Sequence, residues 1–289
     1  MKRVAILGCE NSHANKFLAE IRDNPAYSDY EVVGIYSNED EAAKKLSDEF
    51  GVPVLDSYDA AVGKVDGLII TARDGKYHYE YAKPYIASGI PMFIDKPITA
   101  DPDEAVEFMR VLRDGGIRIC GGSSLGQADE IIALRESVLT EKDGKTMGGV
   151  VRAPLQSDSP HSGIYFYAAH LVEMLSVVFG RYPKSVKAYA VENQKTVVFR
   201  YESYDVVGIF TEHAYKYFAA RFSEGGSEGG VIVGSLKWFK REFSEFDALM
   251  NGDAQHISYD DFISSVFVID AIARSLECGE EVTLRKYEV

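Results

Sequence analysis

The first 120 or so residues alternate short apolar runs with amphipathic stretches, and this alternation restricts the fold more than any other feature of the sequence. Short strands separated by helices and short loops are typical of right-handed βαβ units. Residues 1–122 are therefore expected to form an α/β domain with a doubly wound parallel sheet of Rossmann type. The predicted strands are Val4–Leu7, Glu31–Tyr36, Gly67–Thr71, Pro91–Ile94 and Arg118–Cys120. The predicted helices are Ser12–Asp23, Glu39–Phe50, Lys76–Ser88 and Asp101–Asp114.

After Gly122 the pattern changes, and we predict a second α/β domain over residues 123–289 with a largely antiparallel sheet. Helices are expected at about 127–139, 163–179 and 259–277, with a long β-rich region at 185–239. The glycine-rich run from Gly225 to Gly230 lies between strands and is not followed by a helix. We therefore interpret it as a hairpin turn rather than a phosphate-binding loop.

Composition excludes several classes of function. A chain of 289 residues is long enough for two domains, and its net charge of −14 argues against a nucleic-acid partner. The three cysteines, Cys9, Cys120 and Cys278, are widely spaced and contain no CxxC pair, which disfavours a disulfide framework or a zinc knuckle. No apolar run reaches membrane-spanning length and the N-terminus does not resemble a signal peptide. We predict a cytoplasmic protein without a membrane partner.

The loop after the first predicted strand stands where a dinucleotide fold carries the fingerprint G-x-G-x-x-G. Only Gly8 is present, because Glu10 and His13 occupy the second and third glycine positions. The loop can still bind phosphate through the following helix N-terminus, with Asn11 or Ser12 as cap and His13 as a positive partner. The alternative is an ordinary strand-to-helix turn that has lost its nucleotide.

The end of the second predicted strand leaves the choice of cofactor open. Ser37 and Asn38 stand where an acidic residue would hold the ribose 2′-hydroxyl of NAD, and no arginine follows to hold the 2′-phosphate of NADP. The sequence is compatible with NAD or NADP.

Further landmarks follow in a fixed order: Thr71-Ala72-Arg73, then His78, then Asp95-Lys96-Pro97 directly after the fourth strand. This order resembles the Gfo/Idh/MocA family of oxidoreductases, in which an E/D-K-P tripeptide closes a strand of the nucleotide domain. The resemblance implies that Lys96 reaches the reacting hydroxyl and the nicotinamide. Its position also fits a base or an orienting cation at the carboxyl end of a parallel strand. The alternative is a solvent-exposed lysine before a loop proline.

The second half continues the resemblance, which covers nearly the whole chain. The family's active-site helix usually reads D-x-G-x-H-x-x-D, and here His170 and Glu173 match the histidine and the last acid, whereas Phe166 replaces the first aspartate. His170 can act as a base, with Glu173 accepting from one imidazole nitrogen to fix the tautomer. A helical histidine between apolar residues can equally be a buried structural side chain.

The complete set of expected site residues combines the loop analysis with the resemblance. The expected catalytic residues are Lys96, His170 and Glu173. The expected cofactor contacts are Gly8, Glu10, Asn11, Ser12, His13, Ser37, Asn38, Thr71, Arg73, His78, Asp95, Lys96 and Pro97. The expected substrate contacts are Lys96, Asp158, His161, Tyr167 and His170. No His, Cys, Asp or Glu spacing matches a metal motif, so no metal is predicted.

The resemblance implies an NAD(P)-dependent oxidoreductase that acts on a CH–OH group of a sugar, polyol or cyclitol. One alternative is a family member that has lost catalysis and acts as a nucleotide- or metabolite-binding regulatory protein. Another is reduction of a carbonyl or unsaturated compound other than a sugar. The expected partner is a small-molecule substrate, and the resemblance implies a homo-oligomer, a dimer or tetramer.

Overall fold

The computed structural model describes all 289 residues, and the chain divides into two compact units. The first unit comprises Met1–Gly122, Leu236–Asp260 and Val289, and the second comprises Ser123–Ser235 and Asp261–Glu288. The break after Gly122 lies where the sequence predicts a domain boundary. The sequence predicts one continuous domain over residues 123–289. In the structure, Leu236–Asp260 belong to the first unit instead.

The helices and strands follow one another in chain order. Residues 1–122 form β1 (Lys2–Leu7), α1 (Ser12–Asp23), β2 (Tyr30–Tyr36), α2 (Asp40–Phe50), β3 (Gly67–Ile70), α3 (His78–Ala82), β4 (Met92–Asp95), α4 (Pro102–Asp114) and β5 (Ile119–Gly122). Residues 123–235 form α5 (Asp129–Leu139), β6 (Thr146–Leu155), α6 (Ile164–Phe179), β7 (Ser185–Val191), β8 (Gln194–Arg200), β9 (Asp205–Glu212), β10 (Tyr217–Ser223) and β11 (Gly226–Ile232). The last elements are α7 (Leu236–Met250), α8 (Tyr259–Cys278) and β12 (Val282–Thr283).

The first unit is built on a parallel five-stranded sheet with the order β2-β1-β3-β4-β5. Beyond β2, a parallel bridge between Ile35 and Val54 marks the place of one more strand reduced to a single pair. With that bridge counted, the order is that of the Rossmann fold, in which the chain reverses direction across the sheet between β1 and β3. Ligands of such sheets bind beyond the carboxyl ends of the strands at this point.

Local sequence accounts for the helix boundaries in the first unit. The Asn11 side chain caps α1, and the Asp101 carboxylate accepts from the main-chain N–H groups of residues 103 and 104 ahead of Pro102. The predicted helix over 76–88 is broken into a short α3 between two 3₁₀ turns, Gly75–Tyr77 and Lys83–Ser88. Pro84 has no N–H to continue an α-helical ladder, which explains the change of geometry there.

The second unit carries a seven-stranded sheet with the order β11-β10-β6-β9-β8-β7-β12. Its strand pairs are antiparallel except for β6 and β9, which run parallel. The helix α6 packs on β6 and on α5. The tight turn between β10 and β11 lies at Glu224–Gly225, so the glycines from Gly226 to Gly230 belong to the strand rather than to the turn.

The helix α7 returns to the first unit and packs against α1 and β5. Its buried side chains recur at helical spacing, and among them Phe243 and Phe246 join the core that contains Phe17 and Phe93. The β-rich region predicted to end at residue 239 was therefore extended too far, because residues 236–239 begin this helix. No helix of the chain is long and apolar enough to cross a membrane.

Candidate active site

Gly8 lets the loop after β1 approach the loop after β3. Its φ is +81°, and a Cβ at this position would lie 2.2 Å from the main-chain nitrogen of Ala72. Thr71, which is fully buried, donates from Oγ1 to the carbonyl oxygen of Gly8 at 3.0 Å. The one glycine of the fingerprint that the sequence retains is thus the one that the packing of these two loops requires.

The N-terminus of α1 lies directly beyond Gly8 at the carboxyl edge of the sheet. Asn11 Oδ1 accepts from the main-chain N–H of Ser12 at 2.7 Å, and the first turn of the helix carries no acidic side chain. Ser12 is exposed, whereas His13 is buried. The N–H groups and dipole of this helix end favour an anionic group such as a phosphate.

The Glu10 side chain turns away from the helix N-terminus toward the end of β2. Its Oε2 accepts from the Ser37 hydroxyl at 2.7 Å and its Oε1 from the main-chain N–H of Arg73 at 2.8 Å. The Arg73 guanidinium donates from Nη2 to the carbonyl oxygen of Glu10 at 2.7 Å and lies 3.4 Å from Glu39 Oε1. Asn38 is exposed beside them. Glu10 therefore connects the loops after β1, β2 and β3.

Asp95 and Lys96 close β4 at the same edge. The Asp95 carboxylate is fully buried; its Oδ1 accepts from the main-chain N–H of Lys96 at 2.7 Å and its Oδ2 from the Asn11 amide at 2.9 Å. Burial lowers the pKa of the Lys96 ammonium, against the opposing effect of Asp95 and Glu242. The peptide bond to Pro97 is cis. Lys96 is thus a buried cation with a depressed pKa at the end of a parallel strand.

His13 lies between two buried carboxylates. Its Nδ1 is 3.0 Å from Asp95 Oδ2 and its Nε2 is 3.2 Å from Glu242 Oε2, and all three side chains are at most 4% exposed. Neither contact has the alignment of a hydrogen bond, so the attraction is mainly that of opposite charges. Burial by itself lowers the pKa of His13, but the two carboxylates outweigh it and raise the pKa to about 10.

The ionisation of the two carboxylates differs because their surroundings differ. Burial raises the pKa of Glu242 to about 7, although His13 opposes the shift. Burial also acts to raise the pKa of Asp95, but His13, the Lys96 charge and the Lys96 main-chain N–H lower it overall. His13 is therefore an internal counter-ion at neutral pH. The sequence alone predicts that it is a positive partner for a phosphate, and the structure corrects this prediction.

Sequence reasoning missed Glu242, because the helix that carries it was not predicted. The signal was available: residues 238, 242, 243, 246 and 249 recur at intervals of three and four, which indicates a buried helical face with one carboxylate on it. A buried acid on such a face requires a partner of opposite charge. The His13 imidazole, whose Nε2 lies 3.2 Å from Glu242 Oε2, is this partner.

His78, expected as a cofactor contact, has no exposed surface. Its Nε2 lies 2.9 Å from the carbonyl oxygen of Ala72 and its Nδ1 lies 3.2 Å from the carbonyl oxygen of Ile98. Burial lowers the pKa of this imidazole. The ring joins the loops that follow β3 and β4, so it positions the loops and offers no surface for a ligand.

In the second unit, His170 lies on α6 with its Nδ1 2.7 Å from the hydroxyl of Ser123. Ser123 Oγ also accepts from the main-chain N–H of Leu125. The Glu173 carboxylate lies beside Gly126, where a Cβ would come within 3.0 Å of its Oε1. The partner of His170 Nδ1 is thus Ser123, a residue that the sequence does not single out. The pairing of Glu173 with His170 stays a prediction.

Aromatic rings surround His170. Tyr167 and Tyr217 meet its ring edge-on at centroid distances of 5.6 and 5.9 Å, and Tyr215 contacts Tyr167 at 5.7 Å. Phe166, which replaces the aspartate expected from the resemblance, packs between Tyr167 at 4.9 Å and His161 at 5.3 Å. Half-buried aromatic rings of this kind can bind the C–H face of a sugar or cyclitol ring.

The loop before α6 places the other two expected substrate contacts. Asp158 is exposed, and His161 is half-buried against Phe166. Beside Asp158, the Ser157 main chain and hydroxyl both donate to the Glu212 carboxylate, which also forms a 2.6 Å ion pair with Lys195. Burial raises the pKa of Glu212 but these donors outweigh it and lower the pKa. The loop is thus anchored by Ser157, next to the position of Asp158.

Comparison with known protein families identifies the first unit. Residues 2–121 match the family model described as the oxidoreductase family with an NAD-binding Rossmann fold, Gfo/Idh/MocA. The similarity to the Gfo/Idh/MocA oxidoreductase family thus covers the Rossmann part of the first unit. This agrees with the resemblance carried by Asp95-Lys96-Pro97 and makes NAD the type of cofactor that the family's Rossmann domain binds.

Solved structures extend the likeness over the whole chain. A myo-inositol 2-dehydrogenase from Lactobacillus plantarum is 15% identical, with a TM-score of 0.85 over 98% of this chain and 99% of that one. A scyllo-inositol dehydrogenase from Lactobacillus casei, solved with NAD(H) and scyllo-inositol, is 14% identical, with a TM-score of 0.84 and the same coverage. At these identities the comparison shows the α/β fold of both units.

A curated relative is also similar in sequence. A protein of Amycolatopsis mediterranei, to which a role as the oxidoreductase subunit of UDP-kanosamine synthase has been attributed, is 24% identical over 133 residues. The alignment covers 46% of this chain and 36% of that protein. The chain therefore spans only about a third of the length of this curated relative.

Proposed function

We propose that this chain is an NAD(P)-dependent dehydrogenase that acts on a CH–OH group of a sugar, polyol or cyclitol. One observation carries the proposal: at the point where the parallel sheet reverses, Gly8, the N-terminus of α1 and Lys96 lie at the carboxyl ends of β1 and β4. This is the edge at which open parallel sheets bind dinucleotides. The family match and the inositol dehydrogenase structures favour the same activity over a regulatory protein without catalysis.

The residues at this edge fit a dinucleotide. A Cβ at Gly8 would collide with Ala72, so Gly8 keeps the tight turn after β1 that the fold requires. The first turn of α1 offers N–H groups without an acidic side chain, and Glu10 is held away from it by Ser37 and Arg73. NAD or NADP, when bound, supplies the hydride acceptor. The residues that would hold it are Gly8, Asn11 and Ser12 with the loops after β2 and β3.

Lys96 is proposed to contact the reacting hydroxyl. Its pKa is lowered by burial, so its ammonium is a stronger hydrogen-bond donor than an ordinary lysine and stabilises negative charge on the substrate oxygen as the proton leaves. The buried Asp95 fixes the Lys96 main chain through the 2.7 Å bond to its N–H. This is the positioning that a group acting at the end of a strand requires.

His170 is proposed to accept the hydroxyl proton. The Ser123 contact at Nδ1 fixes the plane of the imidazole ring, and Nε2 is proposed as the nitrogen that takes the proton. Tyr167 and Tyr217 are proposed to contact the apolar face of the substrate, and His161 and Asp158 its hydroxyl groups. Phe166 stands where the helix of the resembling family has an acid, so one polar contact to the substrate is missing. We therefore expect a substrate with one hydroxyl fewer on the side that faces Phe166.

The experiment is a cofactor titration followed by a substrate panel. Purified protein is titrated with NADH and NADPH by fluorescence, and NAD(P)⁺ reduction is then measured on inositols, hexoses and alditols. We expect binding of at least one cofactor and turnover of at least one cyclic or linear polyol. Lys96→Ala should retain cofactor binding and lose turnover by at least about 100-fold, as expected for loss of a proton-handling group. Absence of binding by both cofactors would contradict the proposal.

A further inference from the structure

The end of β2 lacks the carboxylate that an NAD-binding domain places there. Ser37 and Asn38 follow the strand, and neither bears a negative charge. In dinucleotide folds this position hydrogen-bonds the ribose 2′-hydroxyl and excludes the 2′-phosphate of NADP. From the sequence of β2 alone the pocket for the ribose is therefore neutral.

The carboxylate of Glu10 fills this position from a different strand. It is held at the end of β2 by the Ser37 hydroxyl at 2.7 Å and by the Arg73 main-chain N–H at 2.8 Å, one donor on each oxygen. A carboxylate has about four acceptor sites, so these two bonds leave further sites on the same oxygens. Glu10 is only half-buried, which keeps that remaining capacity accessible.

The charges around Glu10 make this edge negative. Arg73 is the cation beside it, and its guanidinium lies between the Glu10 carbonyl oxygen at 2.7 Å and the Glu39 carboxylate at 3.4 Å. Asp40 and Glu41 follow in the first turn of α2. The Arg73 guanidinium is thus already paired with the Glu39 carboxylate and the Glu10 carbonyl oxygen, and it is not available as an uncompensated partner for a second phosphate.

We propose that Glu10 accepts a hydrogen bond from the adenosine ribose of the cofactor and makes this protein select NAD over NADP. The residue that removes the second glycine of the phosphate fingerprint thereby replaces the acid missing from β2. A ribose hydroxyl donates to the carboxylate, whereas a 2′-phosphate meets its negative charge at the same place. The inference rests on the proposed function, because it requires a dinucleotide at this edge.

The test compares NADH and NADPH affinities by isothermal titration calorimetry, so that it does not depend on turnover. Wild-type protein should bind NADH at least about tenfold more tightly than NADPH, since a lost charged hydrogen bond and a like-charge contact both act against NADPH. Glu10→Gln removes the charge and keeps the side-chain shape. It should weaken NADH binding, strengthen NADPH binding and reduce the preference by at least about tenfold.

Two further variants separate charge from shape. Glu41→Gln removes an exposed carboxylate from the same neighbourhood and should leave the preference within about threefold of wild type. Glu10→Asp keeps the charge on a shorter side chain, so NADH should bind more weakly while NADPH stays excluded. Circular dichroism establishes that each variant is folded.

The outcomes are distinguishable. Binding of both cofactors with the same preference in wild type and Glu10→Gln, or a wild-type preference for NADPH, would overturn the role of Glu10 and leave the proposed function standing. Binding of neither cofactor would overturn the proposed function and this inference with it.

Discussion

Glu242→Gln tests whether His13 is a permanent cation inside the first unit. The substitution keeps the size of the side chain and removes one of the two negative charges that face the imidazole. Burial alone would make His13 neutral at pH 7, so its charge depends on these two carboxylates. We expect the variant to lower the pKa of His13 substantially while Asp95 retains part of the effect.

The expected size follows from the distance. Two charges 3.2 Å apart at an effective dielectric constant of about 20 attract with about 5 kcal/mol, equivalent to about 4 pKa units. The dipole of the glutamine amide beside Nε2 returns part of this energy. We therefore expect the pKa of His13 to fall by at least about 2 units, from about 10 to about 8 or lower.

Stability should change with pH in the corresponding sense. The folded-state pKa of His13 is raised above its ordinary value of 6.5, so the stability it contributes is complete below pH 6.5 and is lost as the pH rises through about 10. The loss is about 1.4 kcal/mol per pH unit within this window, or about 5 kcal/mol in total. In Glu242→Gln the window should end near pH 8.

The assay is NMR of the histidine rings between pH 5 and 11, with the His13 signals assigned by their absence in His13→Gln. Urea unfolding at pH 7, 8 and 9 gives the linked stability. A wild-type His13 that titrates near 6.5, or a pKa unchanged by Glu242→Gln, would refute the charge assignment. A large fall in pKa without a change in the pH dependence of unfolding would refute the linkage.

Two other substitutions test the geometry of each unit. Gly8→Ala should lower the free energy of unfolding by about 2 kcal/mol or more in urea titrations, because it adds a collision with Ala72 to the cost of a positive φ. Gly51→Ala, also at positive φ but with open space around it, should cost only about 1 kcal/mol, and an equal loss in both would contradict the steric explanation. Ser123→Ala should lower kcat about tenfold with little change in KM, since the His170 ring loses the hydroxyl at Nδ1. Ser123→Thr should restore most of the rate, and a failure of rescue would assign the loss to packing.

The parts of the fold that sequence could predict are those set by local chemistry. The bounds of α1 follow from its apolar spacing and the Asn11 cap, and the structure has them where the sequence places them. The helix predicted over 76–88 is interrupted instead, since Pro84 competes with the apolar pattern. The helix α7 was not predicted, because Glu242 divides an otherwise apolar face and the preceding strands suggested that the sheet continues.

The candidate site is harder to predict because its contacts join distant parts of the chain. The Glu10 carboxylate accepts from Ser37 and Arg73, which lie 27 and 63 positions further along the chain. Nothing in the sequence of the loop therefore shows where this carboxylate points. His13 was expected to face a phosphate, and its partners are instead Asp95 and Glu242. The tripeptide containing Lys96 could be recognised, since resemblance and the end of a buried strand indicate the same place.

The return of α7 also determines the order in which the first unit can be completed during synthesis. All five strands of its sheet have left the ribosome once Gly122 has emerged, but Phe243 and Phe246 of its core are not yet made. Until residue 250 is available, His13 has one carboxylate partner instead of two and the faces of α1 and β5 that α7 covers stay open to water. A nascent chain or a fragment ending at 122 therefore exposes apolar surface to chaperones, and the Rossmann unit becomes complete only after the strands β6 to β11 have been synthesised.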